Sequence, residues 1–249
     1  GNYNGVTARI YTDIGYFTAD PVIGADASRL FNALSGYSRE DRYDKLLVAP
    51  RLMRDQILWR IDREIKRQQE HEDGYLAFKL NALVDKRTIK ALYRASQAGV
   101  RVDLILRDTC RLRPGIKDLS ENISVISIVG RFLEHARIFY FRNNGNEEYF
   151  IGSADLMKRN LESRVEVVTP IEDPSCQKRL REIIDIQLGN KRSVWDMQSD
   201  GTYIKRQPEK SDDPRTVQEI LIELAEQRLA TSPLVPKKKL KKISKRKRN

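Results

Sequence analysis

The spacing of apolar residues along the chain predicts short strands that alternate with amphipathic helices. Apolar residues at positions 57, 58, 61 and 65 recur every three or four residues, which is typical of one buried helix face. Short apolar runs without this period indicate strands at residues 8–17, 46–49, 75–80, 100–106, 124–129, 136–141, 148–151 and 164–169. The predicted helices are residues 25–34, 50–73, 86–98, 177–188 and 216–229. This alternation indicates βαβ units and an α/β fold with a parallel or mixed sheet.

Local signals place several helix boundaries. Pro50 suits the first turn of a helix because its backbone φ angle is already close to the helical value. Asp85 can cap the helix that follows it, and Gly99 can end that helix. The apolar face of the first predicted helix carries Leu30, Phe31 and Leu34.

Shifts in composition divide the chain into three parts, residues 1–40, 41–206 and 207–249. A polar, turn-rich stretch at residues 35–42 marks the first boundary. The last part begins with a polar linker at residues 207–214, and one more amphipathic helix follows it.

The end of the chain is strongly basic. Residues 231–249 contain nine lysine and arginine residues and no acidic residue, whereas the whole chain has a formal net charge of +11. The remainder is therefore nearly neutral. Blocks of like charge are usually disordered and often bind polyanions, so a polyanion-binding tail is predicted. A solubilising tail without a partner is the alternative.

Composition excludes several classes of protein. The chain has 249 residues, of which 40% are hydrophobic and 33% charged, as is usual for a globular protein. No apolar run approaches the roughly 18 residues of a membrane-spanning helix, which argues against an integral membrane protein. Two cysteines are too few for a disulfide framework or a cysteine-rich metal site, which favours the cytoplasm and leaves association with a membrane surface open. Walker-type, zinc-binding and Gly-x-Ser-x-Gly motifs are absent from the sequence.

One of the two histidines has a setting that suits chemistry on phosphate. His135 lies at the start of a predicted strand, with Arg131 and Arg137 close in sequence. Neighbouring guanidinium groups favour the neutral imidazole and can bind phosphate oxygens. A buried structural histidine is the alternative. His71, in contrast, lies in a hydrophilic stretch and indicates a solvated surface residue.

A second segment suits the binding of an anion. Gly152, Ser153, Ala154 and Asp155 follow a predicted strand, and small residues let backbone N–H groups approach an anion. Ser153 and Asn160 would add hydrogen-bond donors. A charged surface turn is the alternative.

At these residues the chain resembles the C-terminal part of the bacterial polyphosphate kinase family, the histidine-phosphorylating type with a phospholipase D-like fold. The matching motifs are T-A-R-I-Y-T-D, F-K-L-N-A-L-V-D, A-S-Q-A-G-V, G-R-F-L-E-H-A-R-I-F-Y-F and I-G-S-A-D-L-M-K-R-N-L. The resemblance implies that residues 1–40 end a preceding catalytic domain, that residues 41–206 form the C-terminal phospholipase D-like catalytic domain, and that a helical and basic disordered extension follows.

The resemblance also implies roles for individual residues. His135 matches the second histidine of the family, with Arg137 in the position of the motif's lysine. The implied ATP-binding residues are Tyr11, Arg107 and His135. Further implied phosphate contacts are Arg137, Ser153, Arg164 and Glu166. Arg142 and Asp155 stand where phospholipase D relatives carry the motif's aspartate and an asparagine, and these differences favour a kinase over a phosphodiesterase.

The implied activity is reversible transfer of the ATP γ-phosphate to inorganic polyphosphate through a phosphohistidine. The nucleophilic histidine and the residues that bind Mg²⁺ are expected upstream of Gly1, so this chain alone is expected to be inactive and to hold no metal site. The complete enzyme is expected to be a homo-oligomer. A phospholipase D-superfamily phosphodiesterase and a non-catalytic polyanion-binding module are the alternatives.

Overall fold

The computed structural model describes residues 4–37 and 42–231, and the predicted basic tail beyond residue 231 lies outside them. The helices are α1 Pro21–Leu34, α2 Met53–His71, α3 Lys86–Gln97, α4 Lys158–Glu162, α5 Pro174–Gly189 and α6 Val217–Thr231. The strands are β1 Tyr11–Thr12, β2 Leu47–Ala49, β3 Tyr75–Leu80, β4 Arg101–Leu106, β5 Ile123–Ile128, β6 Leu133–Glu134, β7 Arg137–Phe141, β8 Glu148–Gly152, β9 Glu166–Ile171, β10 Val194–Met197 and β11 Tyr203–Lys205.

Nine of these strands form one mixed sheet in the order β11-β10-β5-β4-β3-β7-β8-β9-β2. The three central strands β3, β4 and β5 are parallel, and each pairing outside them is antiparallel. Strands β1 and β6 pair in parallel as a separate short ladder. A mixed sheet flanked by helices confirms the predicted α/β class.

The central strand β3 is buried on both faces because helices cover both sides of the sheet. Leu76, Phe78 and Leu80 point to the side of α2 and α3 and join the largest apolar cluster. Tyr75 and Ala77 point to the other side and pack with residues of α5. The alternation of side chains along the strand thus divides the core into two layers, one on each face.

The predicted helix boundaries are confirmed only in part. Asp85 caps α3 as predicted, since its carboxylate accepts the backbone N–H of Thr88 at 2.9 Å. The prediction that Pro50 begins a helix is wrong, because α2 begins at Met53. The predicted strand at residues 8–17 is also largely wrong. Of these residues, only Tyr11 and Thr12 form strand pairs, with Leu133 and Glu134 of β6.

Helix α1 is held by a buried carboxylate and by only part of the apolar face that the sequence predicted, since Leu30 packs against a small buried apolar cluster. Phe31 and Leu34 are 70% and 55% exposed. Asp26 is fully buried, and it accepts backbone N–H groups from residues 44, 45 and 46 at 2.9, 2.7 and 3.0 Å. These bonds fasten α1 to the chain that leads into β2.

The part of the chain after α5 adds two strands that the pattern did not predict. Strand β10 extends the sheet beside β5, and its Asp196 accepts hydrogen bonds from Arg206. Charged residues of this kind conceal a strand from a pattern based on apolar residues. Among the described residues, no helix combines the length and the apolar character that a membrane crossing requires.

Candidate active site

The sheet topology brings four chain segments together at one edge. Strands β3 and β4 are parallel, so the residues after them, Asn81 and Arg107, lie at the same edge. Strand β7 runs antiparallel to β3 and therefore begins at that edge, two residues after His135. Strand β8 ends there too, and Asp155 follows it. The carboxyl ends of parallel strands are where open α/β sheets usually bind ligands.

A buried carboxylate, that of Asp155, organises this edge. It accepts the backbone N–H of Asn81 at 2.7 Å and the side-chain amide of the same residue at 3.2 Å. It also accepts two hydrogen bonds from Arg137, from Nε at 3.3 Å and from Nη2 at 3.0 Å. A buried charge must be paired and hydrogen-bonded to be tolerated, and Asp155 meets both conditions.

Asn81 connects Asp155 to Arg107 through hydrogen bonds. Its side-chain oxygen accepts a hydrogen bond from Arg107 Nε at 2.7 Å, and its backbone carbonyl accepts the N–H of Asp108 at 2.9 Å. Within the part of the chain that the structure describes, the terminal amino groups of Arg107 have no partner. They are therefore available to bind the oxygens of a phosphate.

His135 lies between an arginine and an aspartate. Arg137 Nη1 is 3.1 Å from Nε2 of the imidazole, and Asp13 Oδ2 is 3.4 Å from Nδ1. A guanidinium can only donate, so Nε2 accepts and the proton of the neutral ring is on Nδ1. The ring of Tyr11 stacks on the imidazole with 5.1 Å between the centroids.

The surroundings keep His135 neutral. Burial lowers the pKa of the imidazole most, the positive charge of Arg137 lowers it further, and that of Arg107 adds to the effect. The hydrogen bond to Asp13 opposes this but does not reverse it. The lowered pKa agrees with the prediction that neighbouring guanidiniums favour the neutral imidazole, but Arg131 is not one of the groups that lower it. Its guanidinium is exposed and lies over the ring of Phe132 at 5.0 Å.

Two of the predicted phosphate-binding residues face each other. The Ser153 hydroxyl donates a short hydrogen bond to Glu166, and the side-chain amide of Asn160 donates to the same carboxylate at 2.6 Å. Gly152 makes this approach possible, because a Cβ atom there would lie 2.3 Å from the carbonyl oxygen of Val167. Ser153 and Asn160, the hydrogen-bond donors that the sequence predicted for an anion, are therefore bound to Glu166.

Arg164 lies apart from this group. Its side chain is exposed, and its backbone N–H bonds to the carbonyl of Arg159 at 3.0 Å. The phosphate-binding roles of Ser153, Arg164 and Glu166 stay predictions.

A mostly apolar cavity of about 440 Å³ lies beside the charged edge. Residues 8–16, α5 and α6 line it, and its wall includes the buried ion pair of Lys79 and Glu134. It shares Tyr11 and Asp13 with the surroundings of His135 but is not lined by His135 itself. The charged edge and the cavity are therefore neighbouring features.

The residues around His135 do not fit a magnesium site. In the described ranges, no group of three or more His, Cys, Asp or Glu side chains is placed to hold a metal ion. Asp155 is engaged by Arg137 and Asn81, and Glu166 by Ser153 and Asn160. Any Mg²⁺ that accompanies a nucleotide would need ligands other than these carboxylates.

Sequence reasoning missed Asn81 and the pairing role of Asp155. Asn81 directly follows a predicted strand, as Arg107 does, so the rule that selected Arg107 could have selected it too. The sequence places Asp155 in a predicted turn and at a motif position, but it predicts no ion pair for this residue. Its contacts depend on four segments meeting, which no local pattern shows.

The chain matches two family models, described as polyphosphate kinase C-terminal domain 1 over residues 1–40 and polyphosphate kinase C-terminal domain 2 over residues 46–218. The polyphosphate kinase of Thermosynechococcus vestitus is 52% identical over 222 residues, which are 89% of this chain and 30% of that protein. The polyphosphate kinase of Synechocystis is 50% identical over 220 residues, 88% of this chain and 30% of that protein. The chain thus spans about 30% of the length of these relatives.

A solved structure shares the fold. The crystal structure of polyphosphate kinase from Porphyromonas gingivalis matches with a TM-score of 0.86 and 38% identity. The match covers 93% of this chain and 36% of that chain. The arrangement described above therefore corresponds to about a third of the Porphyromonas gingivalis chain.

The geometry predicts that Arg137→Gln raises the pKa of His135. The substitution removes the positive charge that, after burial, lowers this pKa most. The pKa can be measured by NMR titration of the imidazole in a His71→Gln background, which leaves His135 as the single histidine. Arg142→Gln is a matched control near the opposite end of β7, where it pairs with Asp73, and it should leave the titration unchanged. An unchanged titration in Arg137→Gln would show that the contact is not formed.

Proposed function

The chain belongs to the polyphosphate kinase family, and from this premise we propose that it forms the second half of the catalytic site of a polyphosphate kinase. The reaction is reversible transfer of the γ-phosphate of ATP to inorganic polyphosphate. The observation that carries the proposal is the imidazole of His135, which is bonded to Arg137 and whose pKa is lowered by burial and by the charges of Arg137 and Arg107. Phosphoryl transfer depends mainly on positioning and on neutralising the charge of the phosphates, and two fixed guanidiniums provide both.

Arg107 is the main phosphate-binding residue in this proposal. Its Nε atom is bonded to Asn81, and the two terminal amino groups, which have no partner among the described residues, form a planar fork. Such a fork matches two oxygens of a phosphate. Arg137 has less to offer a ligand, because Asp155 and the carbonyl of His135 already accept its hydrogen bonds.

His135 supplies a ring whose Nδ1–H can donate a hydrogen bond to an oxygen of the phosphate chain. Its Nδ1–H faces Asp13, and its Nε2 accepts from Arg137. Tyr11 stacks on this ring, so both residues reach the same ligand and can contact the nucleotide. This supports the ATP-binding set of Tyr11, Arg107 and His135 as a group.

The nucleophile of the proposed reaction is a different histidine. A nucleophilic nitrogen needs a free lone pair, and Nε2 of His135 is occupied by Arg137. His71 is partly exposed at the end of α2, and Glu70 is its nearest charged neighbour. Since these are the two histidines of the sequence, the phosphorylated residue is supplied by a part of the enzyme outside these 249 residues.

The proposed reaction has two balanced steps. In the first, the nucleophilic nitrogen forms a bond to the γ-phosphorus as the bond to the β,γ-bridging oxygen breaks, and ADP leaves. In the second, a terminal oxygen of polyphosphate attacks the same phosphorus, and the N–P bond breaks. The residues of this chain bind and neutralise the phosphates in both steps.

Several expectations stay predictions. They are the division at residues 40 and 206, the homo-oligomeric state, the cytoplasmic location and the role of Mg²⁺. The two alternative functions are not favoured by any described contact. In particular, Asp155 is bound to Arg137, which agrees with its proposed structural role in a kinase.

Replacing the imidazole tests the site directly. In the complete enzyme, His135→Ala should lower the rate of polyphosphate synthesis by roughly 10²–10⁴-fold, because a positioned imidazole typically contributes that much. Turnover with ATP is the measurement. His71→Ala removes the other imidazole of these 249 residues and should leave turnover unchanged. Near-normal synthesis by His135→Ala would remove this residue from the site.

Replacing the guanidinium tests phosphate binding. Arg107→Lys keeps the charge but loses the planar fork and the contact from Nε to Asn81, so it should weaken ATP binding roughly tenfold or more. The measurement is the KM for ATP in the complete enzyme. Arg111→Lys changes an exposed arginine four residues further on and should have no effect. Equal ATP affinity in both variants would place Arg107 outside the site.

A further inference from the structure

The segment that carries His135 is poorly supported by the sheet. Between the end of β5 at residue 128 and the start of β7 at residue 137, its only strand is the two-residue β6. Val129 and Leu133 are 61% and 41% exposed. Leu133 N–H bonds to the carbonyl of Ile10 at 2.8 Å. The position of a catalytic side chain on such a segment depends on contacts from elsewhere.

One of these contacts comes from the first turn of α6. The side-chain oxygen of Gln218 accepts the backbone N–H of Phe132 at 2.9 Å, and its amide nitrogen donates to the carbonyl of Phe132 at 2.8 Å. A single carboxamide thus satisfies both backbone groups of Phe132, as a neighbouring strand would.

The same amide reaches the residue that precedes His135. Gln218 Nε2 donates to Glu134 Oε1 at 2.8 Å. Glu134 is 4% exposed and is paired with Lys79 at 2.8 Å. Burial alone would raise the pKa of Glu134. The charge of Lys79 and the hydrogen bonds that Glu134 accepts from Lys79, Gln218 and Thr12 outweigh burial and lower this pKa. Glu134 is therefore a charged, fixed anchor directly beside His135.

The fit is tight and the start of the helix is fixed. A Cβ atom on Gly130 would lie 2.6 Å from Gln218 Oε1, so a methyl group there would have to displace the Gln218 carboxamide. Thr216 and Glu219 cap the helix reciprocally, and Val217 is fully buried against the apolar cluster of β5 and β10. Gln218 is therefore held by a rigid element.

We propose that Gln218 is a positioning residue for His135, so that the first turn of α6 is a working part of the catalytic site. The inference rests on the proposed function of His135. It assigns a role to a neutral residue in the part of the chain that the sequence suggested to be an extension of the catalytic domain. Displacing Gln218 releases the segment at Phe132 and leaves one oxygen of Glu134 without its donor.

The first test measures the position of His135 without relying on activity. In the 249-residue chain with His71→Gln, NMR titration reports the pKa of His135 alone. Burial contributes most to the low pKa, with Arg137, Arg107 and Asp13 as the charged groups around the ring. Gln218→Ala should loosen the segment, admit water and raise the pKa by about half a unit. Gln227→Ala, an exposed glutamine of the same helix, is the matched control.

The second test measures catalysis. In the complete enzyme, Gln218→Ala should lower kcat roughly tenfold to a hundredfold, because small displacements of a positioned group have effects of this size. Gly130→Ala should reproduce the effect, since the added methyl group pushes the carboxamide away without changing Gln218 itself. Gln227→Ala should keep the parent kcat.

The outcomes separate the two proposals. A raised His135 pKa together with a lower kcat in both Gln218→Ala and Gly130→Ala supports the positioning role. A titration and a kcat equal to those of Gln227→Ala would overturn it, as would a loss of activity that only follows loss of folded protein while the titration is unchanged. If the parent enzyme makes no polyphosphate, the proposed function fails, whereas the titration still decides whether Gln218 positions His135.

Discussion

The arrangement at the charged edge, the end of the sheet with Arg107, His135 and Arg137, depends on one buried carboxylate. Asp155 binds Arg137 through two hydrogen bonds and Asn81 through its backbone and side chain. Asn81 then fixes Arg107 through Nε. Without the carboxylate, the two guanidiniums of Arg107 and Arg137 would lie at the end of the sheet without a compensating charge between them. One negative charge therefore lets several positive groups stay close together, ready for a more negative ligand.

A second buried charge network supports the same edge from the other side. Lys79 and Glu134 form an ion pair that is almost completely buried, and Gln218 donates to Glu134 from α6. Breaking one partner of a buried pair typically costs about 3–5 kcal/mol, so this network has little freedom to rearrange. The two networks meet at His135, which follows Glu134 in sequence and contacts Arg137. The position of the neutral imidazole is thus set by the charged groups of the two networks.

The parts of the fold that sequence predicts well are those that a local rule determines. Asp85 caps α3 through a residue three positions away, and Arg107 follows a strand whose apolar run is plain. The site could be predicted in part for the same reason, because strand ends mark it. Gln218 could not be predicted, since it acts on Phe132 across 86 residues and carries no charge that a pattern could detect. The strand expected at residues 8–17 is mostly absent, since a strand also needs a pairing partner, here Leu133 and Glu134, that the local sequence does not show.

The central claim is that these residues bind and neutralise phosphates while the nucleophile comes from elsewhere. The most direct measurement is incubation of the purified 249-residue chain with γ-labelled ATP and magnesium, followed by mass spectrometry at neutral pH to detect phosphohistidine. The account predicts weak binding of ATP, no phosphate on His135 and no polyphosphate, with the complete enzyme as the active control. Stoichiometric phosphate on His135 together with steady formation of polymer would contradict it, because the chain would then contain a self-sufficient site.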